Sequence, residues 1–352
     1  MFCGDLALAR SWLLQRWQQS TLPLPRQLAH WGLSLGLVDA TQRLCRGEHA
    51  QIDDVVRRQL GFRLARLQQH DNPYLMLMDQ SSLEAKAELL LKPSADLVIG
   101  LLGGLGDQLQ FVSLLHGWRQ QRPGRILLET SPTRLSQLQR CLSGHSWIEL
   151  GPWSRPLDRY PLLQLDASAA LWSLGVRQHQ HWLHLDYAIE GPQRQLLCCW
   201  RAEGRGDAFS AWSRSVPLAE VMAFYRGLLQ SGGWQPQELI DISQWRPWEQ
   251  RQLQALGITL HDPRQGDVLN LAQLAGRGEV LTIDTALAHL CAAMGHGAMV
   301  LLPRFADERW HELMRPGQCY HNHLQVVVQQ HFGCWQAPLE TVSKGLISRQ
   351  HH

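Results

Sequence analysis

The sequence has 352 residues, which exceeds the usual domain of roughly 100 to 200 residues and predicts two or three domains. Its 45% hydrophobic and 18% charged residues are typical of a globular protein and exclude disorder as the main state. The 33 Lys and Arg nearly balance the 31 Asp and Glu, for a formal net charge of +2. Because no block of like charges occurs, nucleic acid is not an expected partner.

The eight cysteines include the adjacent pair Cys198 and Cys199 inside an apolar run, which favours reduced, buried thiols over a disulfide framework. The segment Met1–Gln19 has no cationic start, no long apolar stretch and no small-residue cleavage site. Charged or polar residues also interrupt every apolar run before about 18 residues, the length that spans a membrane. We therefore expect a cytoplasmic protein without a membrane span.

The first part of the chain, from Leu6 to about Leu91, spaces its apolar residues as amphipathic helices do. Turn-forming residues divide it into several helices, at Pro23–Pro25, Arg46–Gly47 and Asp71–Pro73. A fragment at Trp31–Gly36 is similar to helical-hairpin repeats, although no steady period of about 34 residues continues it. Residues 1–92 are thus predicted to be an all-helical region, with degenerate repeats as one alternative, and a protein partner could bind through these helices.

After Pro93, short apolar runs alternate with helical segments, a pattern typical of parallel sheets with crossover helices. A turn-rich stretch near Gly191 divides the runs into two series. The predicted fold is α/β, with two Rossmann-like domains at residues 93–190 and 191–336, preceded by the helical region and followed by a C-terminal helix and tail at residues 337–352. The predicted strands are Asp96–Leu102, Arg125–Glu129, Trp147–Leu150, Leu162–Leu165, Gln195–Trp200, Glu238–Ile242, Gly257–Leu260, Glu279–Ile283, Ala298–Leu302 and Leu324–Val328.

A glycine-rich turn, Gly103–Gly106, follows the first predicted strand and opens a helix. Glycines permit a tight turn and let a ligand approach the backbone, and the start of a helix attracts anions. The dinucleotide fingerprint fails because Leu109 stands where its third glycine belongs, and no Gly-Lys-Ser/Thr follows for a phosphate loop. Asp107, at the mouth of the sheet, is either a general base or an N-cap that only satisfies free amides.

A later strand runs directly into an Ala-rich helix at Ile283–Leu290. Asp284 or Thr285 would cap this helix, and its first amides, around Ala286, would point out of the carboxyl edge of the sheet, where α/β proteins bind ligands. A diphosphate would fit there. His289 lies one helical turn after Thr285, and is either within reach of that anion or packed as an ordinary helix residue.

Other cues for chemistry are weaker. Cys319–His323 has metal-capable residues at alternating positions but no second ligand pair at zinc spacing, so no metal site is predicted. No Asp-x-Asp triplet, the common cue for a metal-bound nucleotide sugar, occurs either. A diphosphate would therefore depend on helix amides, on arginines and on the helix dipole. No Gly-x-Ser-x-Gly elbow supports a serine hydrolase.

Taken together and in order, these motifs resemble family 9 glycosyltransferases, the heptosyltransferase family. The likeness is strongest to its bacterial members with an N-terminal helical, tetratricopeptide-like region, and it covers about residues 96–347. Six segments carry it: Gly104–Asp107 with Gln110–Phe111, Arg125–Glu129, Arg214–Leu218, Ile283–Leu290, Gly295 with Leu301–Pro303, and Asp307–Trp310.

The resemblance implies a type B glycosyltransferase fold, in which the first Rossmann-like domain binds the acceptor and the second binds the nucleotide-sugar donor. It further implies an inverting reaction without metal or other cofactor, with Asp107 as the base that takes the acceptor proton. The residues expected around the donor diphosphate are Gly104, Gly106, Arg201, Arg214, Asp284, Thr285, Ala286 and His289, with Asp307 and Trp310 near the nucleotide.

The predicted function is transfer of a sugar from a nucleoside diphosphate to a hydroxyl of a glycan or protein. The alternative is a catalytically retired transferase fold that acts as a binding module on a helical scaffold. The failed glycine fingerprint disfavours a nicotinamide-dependent oxidoreductase.

Overall fold

The computed structural model describes residues 5–48, 50–92, 97–119, 124–185, 194–202, 208–239, 245–262 and 268–349. The hinge expected near Gly191 and the strand end expected at Ile242 lie outside these ranges. Within them, no helix combines the length and the apolar character that crossing a membrane requires.

In the described part of residues 1–92, five α-helices form the N-terminal region, and an aspartate precedes three of them. Asp5, Asp53 and Asp79 each precede a helix and accept a hydrogen bond from the amide three residues later, which satisfies one free donor of the first turn. The predicted breaks fall between the helices, and the last break holds a short 3₁₀ turn, Pro73–Met76. The helices are α1 Leu6–Gln19, α2 Arg26–Ser34, α3 Val38–Cys45, α4 Asp54–Leu67 and α5 Gln80–Leu91.

The first sheet has four parallel strands in the order β3-β2-β1-β4. Its fourth strand is shorter than predicted, because helix α8 already begins at Gln164, where the Asp166 carboxylate accepts from the Leu163 amide at 3.1 Å. The elements are β1 Leu97–Gly100, α6 Leu105–Trp118, β2 Ile126–Thr130, α7 Pro132–Leu142, β3 Ile148–Pro152, β4 Leu162–Leu163 and α8 Gln164–Ser173.

The second sheet has six parallel strands in the order β10-β9-β8-β5-β6-β7. Two strands of this sheet begin away from their predicted residue: β6 begins at Gln235, which pairs with Gln195, and not at Glu238, and β7 begins at Thr259 and not at Gly257. The elements are β5 Gln195–Cys199, α9 Ala208–Arg214, α10 Leu218–Ser231, β6 Gln235–Leu239, α11 Pro247–Ala255, β7 Thr259–His261, α12 Val268–Ala275, β8 Glu279–Ile283, α13 Ala286–Met294, β9 Ala298–Leu302, α14 Arg309–Leu313, α15 Cys319–His323, β10 Leu324–Val328 and α16 Gln336–Ser348.

Both sheets reverse their strand order next to their first strand. Counted along its own part of the chain, the second sheet reads 3-2-1-4-5-6, the order of dinucleotide-binding folds, and the first sheet reads 3-2-1-4. Two crevices result, one between β1 and β4 and one between β5 and β8, at the carboxyl ends of the strands. Two parallel α/β units after an all-helical region confirm the predicted fold class.

The two sheet units share one hydrophobic core cluster. It joins Leu109 and Val112 of α6 to Leu287 and Leu290 of α13, all fully buried. Helices α6 and α13 each begin at a crevice, so their packing brings the two crevices together.

Candidate active site

Asp107 lies in the first turn of α6, beside the crevice of the first sheet. Gly103 adopts a φ of 80°, a conformation open to glycine, and so turns the chain from β1 into the helix. The Gly104 amide donates to Asp107 Oδ2 at 2.7 Å, so Asp107 caps the helix from its third position, whereas the N-cap residue is Gly104 and not Asp107 as the structural alternative expected. The other oxygen, Oδ1, accepts from Arg309 Nη1 at 2.6 Å. The carboxylate is 41% exposed, so Asp107 both caps the helix and lines a cavity.

Thr285 is the N-cap of α13, beside the crevice of the second sheet. Its backbone is extended, and its side chain makes no capping hydrogen bond; instead Oγ1 lies 3.0 Å from Thr282 Oγ1. The first amides of α13 are therefore not capped by this hydroxyl, and they carry the positive end of the helix dipole. This is the geometry that an anion needs at a helix start.

Arg309 joins the two crevices, and the sequence reasoning assigned it no role. Its guanidinium bonds Asp107 through Nη1, lies 3.5 Å from Asp284 Oδ1 through Nη2, and lies 3.7 Å from Asp307 Oδ1 through Nε. In the sequence, Arg309 is one residue of the Asp307–Trp310 segment. No local pattern could single it out, because Asp107 and Asp284 lie 202 and 25 positions away from it and only Asp307 is a neighbour in the chain.

Asp284 directly follows the last residue of β8 and is almost fully buried. Arg214 Nη1 donates to its backbone oxygen at 2.9 Å and lies 3.6 Å from Oδ2. Arg214 is thereby held beside the start of α13, where the sequence placed an arginine for the diphosphate.

His289 is packed inside the protein, with 1% of its surface exposed. Its Nδ1 lies 2.8 Å from the Tyr320 hydroxyl, its ring stacks on Trp310 at 5.6 Å, and its Nε2 lies 3.9 Å from Asp284 Oδ1. The Trp310 Nε1 is buried and has no hydrogen-bond partner within the described ranges. His289 is thus packed as a buried helix residue against Tyr320 and Trp310, which corresponds to the second of the two alternatives for this position.

Gly106 makes the close approach of the two helices possible. A Cβ at this position would lie 2.6 Å from His289 Cδ2 and 3.3 Å from the Ala286 Cα. Only glycine lets α6 come this near to the first residue of α13.

Arg201 follows β5 at the same edge of the sheet, but its guanidinium already has partners. It makes two hydrogen bonds to Glu249, of 2.7 and 3.0 Å, and lies 3.8 Å from the Trp245 ring centroid. A phosphate would have to displace a buried carboxylate, so the phosphate role of Arg201 stays a prediction, and Glu249 is a partner that the sequence reasoning missed.

Burial and neighbouring charges set the protonation of the site. Burial raises the pKa of Asp107, but the Arg309 charge and the Gly104 hydrogen bond outweigh it and leave this pKa below its ordinary value. The pKa of Asp307 is likewise lowered, because burial is outweighed by Arg309 and then by Arg63. Burial, assisted by the Arg309 charge, lowers the pKa of His289 to about 4. At neutral pH, Asp107 and Asp307 are therefore ionised and His289 is uncharged.

A cavity of about 340 Å³ opens beside Asp107 and Arg309. Its walls come from the N-terminal helices and from both sheet units. The residues that line it include Phe62, Arg66, Gln110, Arg177 and Glu312. A small ligand group presented here would reach the Asp107 carboxylate.

No group of three or more His, Cys, Asp or Glu side chains is arranged to hold a metal ion in the part of the chain that the structure describes. His321 and His323 of the Cys319–His323 segment lie in the short helix α15, and Tyr320 of the same helix contacts His289.

Neither a family model nor a curated protein matches this sequence. Among solved structures, the chain is similar to the E. coli heptosyltransferase WaaC with ADP, at 13% identity and a TM-score of 0.46, over 73% of this chain and 98% of that one. It is similar to a glycosyl transferase of family 9 from Veillonella parvula, at 11% identity and a TM-score of 0.47, over 73% and 99%. A mutant O-GlcNAc transferase from Thermobaculum terrenum aligns with 99% of this chain and 82% of its own, at 13% identity and a TM-score of 0.36.

These solved structures are glycosyltransferases, the class that the sequence motifs resemble. Their TM-scores below 0.5 describe a distant likeness only.

Proposed function

We propose that this chain is a glycosyltransferase that moves a sugar from a nucleoside diphosphate to an acceptor hydroxyl, with inversion and without a metal. One observation carries the proposal: the two switch-point crevices meet at Arg309, which bonds Asp107 of the first unit and lies 3.5 Å from Asp284 of the second. A donor at the start of α13 and an acceptor beside Asp107 would therefore face each other in one site.

The diphosphate would bind at the start of α13. The helix amides next to Thr285 and the Arg214 guanidinium provide hydrogen-bond donors and positive charge there. The same groups would stabilise the charge that develops on the leaving diphosphate, which is the part that a metal ion plays in other transferases.

Asp107 would act as the base. The acceptor oxygen forms its bond to the anomeric carbon while its proton passes to the Asp107 carboxylate. The bond from that carbon to the β-phosphate oxygen breaks, and its electron pair leaves with the nucleoside diphosphate. Since the oxygen enters opposite the leaving group, the anomeric centre inverts.

Arg309 would couple donor binding to the base. Its guanidinium bonds Asp107 Oδ1 and lies near Asp284. A diphosphate would compete with both carboxylates for the guanidinium, because phosphate also accepts paired hydrogen bonds from arginine. That exchange would release Oδ1 and relieve the lowering of the Asp107 pKa when the donor is present.

Calorimetric titration with UDP, ADP and GDP in excess EDTA tests this function. We expect at least one diphosphate to bind, and Arg214→Ala to weaken that binding by roughly 1.5 to 3 kcal/mol, about tenfold or more in Kd. Arg349→Ala is the matched control, because Arg349 pairs with Glu279 at the opposite, amino end of β8. Binding that required added Mg²⁺ would refute the metal-free mechanism, and no binding in either condition would refute the donor site.

A further inference from the structure

The N-terminal helices reach the candidate active site through two arginines one turn apart on α4. Arg63 Nε donates to Glu308 Oε2 at 2.9 Å. Arg66 Nε donates to Glu312 Oε1 at 3.0 Å, and its Nη2 bonds the other oxygen of the same carboxylate. Glu308 and Glu312 stand on either side of Arg309 in the sequence. We call these two arginines and two glutamates the α4 clamp.

The side chains of the clamp are largely shielded from water, and this burial determines how much their ion pairs matter for stability. The exposed fractions of its side chains are 22% for Arg63, 5% for Glu308, 12% for Arg66 and 17% for Glu312. Exposed ion pairs contribute little to stability, but removal of one partner from a buried pair leaves an uncompensated charge and is strongly destabilising. The clamp therefore strongly favours one placement of α14 against α4.

Helix α14 depends on such contacts, because it has only five residues, Arg309–Leu313. A helix this short has no stability of its own in water. The chain just before it also packs on the N-terminal region, where the Arg10 guanidinium lies 5.4 Å from the Phe305 ring centroid. The placement of Arg309 is thus imposed by tertiary contacts and not by its own helix.

We propose that α4 is a positioning element of the active site: Arg63 and Arg66 hold α14 in place and so keep the Arg309 guanidinium on Asp107. The inference rests on the proposed function only for the role of Asp107 as the base. The helical region is on this view part of the site, and the face of α4 that carries the clamp is not available to a protein partner.

The test is a carboxyl titration of the full-length chain, labelled with ¹³C-aspartate and followed by NMR, with the Asp107 signal assigned from its loss in Asp107→Asn. We expect the pKa of Asp107 to rise by about one unit in the double variant Glu308→Ala/Glu312→Ala, because Arg309 is released and its positive charge no longer stabilises the ionised carboxylate. A direct field effect has the opposite sign, since removal of two negative charges lowers the pKa of a nearby carboxyl. The Arg309→Ala variant, which removes the guanidinium altogether, gives the largest rise in the Asp107 pKa that loss of this contact can produce.

Glu149→Ala is the matched control, because it removes the carboxylate of an exposed ion pair with Arg125 on the first sheet and should leave the Asp107 pKa unchanged. If the double variant does not fold, Glu308→Gln and Glu312→Gln are titrated singly, and each should give a smaller rise. An unchanged or lowered Asp107 pKa in folded clamp variants would overturn the inference. Calorimetry with UDP, ADP and GDP on the same samples separates the two proposals, because a rise in the pKa without diphosphate binding would support the clamp and refute the function.

Discussion

Asp107 uses its two oxygens for different purposes. Oδ2 caps the Gly104 amide, and Oδ1 meets Arg309 at the cavity. The Arg309 charge lowers the pKa of the carboxylate, and a carboxylate with a lowered pKa is a weak base until that charge is drawn elsewhere. In the proposed mechanism, a shift of Arg309 from Asp107 to the diphosphate would raise the Asp107 pKa and let the carboxylate take the proton.

Asp107→Asn tests the base directly. Asn keeps the size of the side chain and caps a helix about as well, but it cannot accept the proton. We expect folding and diphosphate binding to persist while transfer slows by roughly 10² to 10⁴-fold, measured as diphosphate release in the presence of an acceptor. Asp166→Asn is the matched control, because Asp166 caps α8 in the same way through the Leu163 amide. If Asp107→Asn transferred the sugar at the wild-type rate, Asp107 would not be the base and would only cap the helix.

At the scale of elements, the closeness of α6 and α13 is what brings the two crevices into one site. Gly106 carries this contact, since a side chain there would meet His289 and the backbone of Ala286. The same packing leaves the start of α13 next to the turn that presents Asp107.

Gly106→Ala should therefore push the two helices apart. We expect a loss of about 1 to 3 kcal/mol in the free energy of unfolding, the usual cost of overpacking, measured by urea denaturation. Gly227→Ala is the matched control, because Gly227 lies in α10 with nothing within 4 Å of its Cβ position and should gain roughly 0.4 to 1 kcal/mol. Equal effects in the two variants would mean that α6 and α13 are not in close contact in solution.

At the scale of the whole molecule, buried histidines make the fold sensitive to acid. Burial lowers the pKa of His116 to about 3, that of His179 to about 4 and that of His289 to about 4. In the unfolded chain these groups take up protons below about pH 6.5, whereas in the folded chain they stay neutral. The free energy of unfolding that these histidines contribute is therefore fully present above pH 6.5, and it falls as the pH drops towards 4.

Urea denaturation at pH 6.5 and pH 5 should show this fall, with each such histidine contributing up to roughly 2 kcal/mol over the interval. Asp107 and Asp307 do not contribute there, because their lowered pKa values confine their effect to pH below about 4. His289→Gln should make the pH dependence shallower, and His70→Gln, at an exposed position, should leave it unchanged. A stability that did not vary between the two pH values would contradict neutral burial of these histidines.

The sequence by itself determined the local structure wherever the signal lay within a few residues. The runs Glu279–Ile283, Ala298–Leu302 and Leu324–Val328 form strands with the predicted bounds, because each is a short apolar run closed by polar or turn-forming residues. The helix α13 starts after Asp284-Thr285 and ends at Gly295, which takes the left-handed conformation of a helix end. Local signals of this kind, the Gly103–Gly106 turn and the helix start at Asp284-Thr285, were enough to locate the two crevices in the sequence.

Only the tertiary structure decided which charged groups meet. Arg309 and Asp107 are 202 positions apart, and Arg66 and Glu312 are 246 apart, while Arg201, expected at a phosphate, is held by Glu249 and Trp245. The spacing of Arg63 and Arg66 along α4 equally fits a solvated helix face, so nothing local distinguished the clamp. A hydrophobic pattern encodes which face of an element is buried, whereas an ion pair depends on how whole elements are placed against each other, and that placement follows from the packing of the complete core.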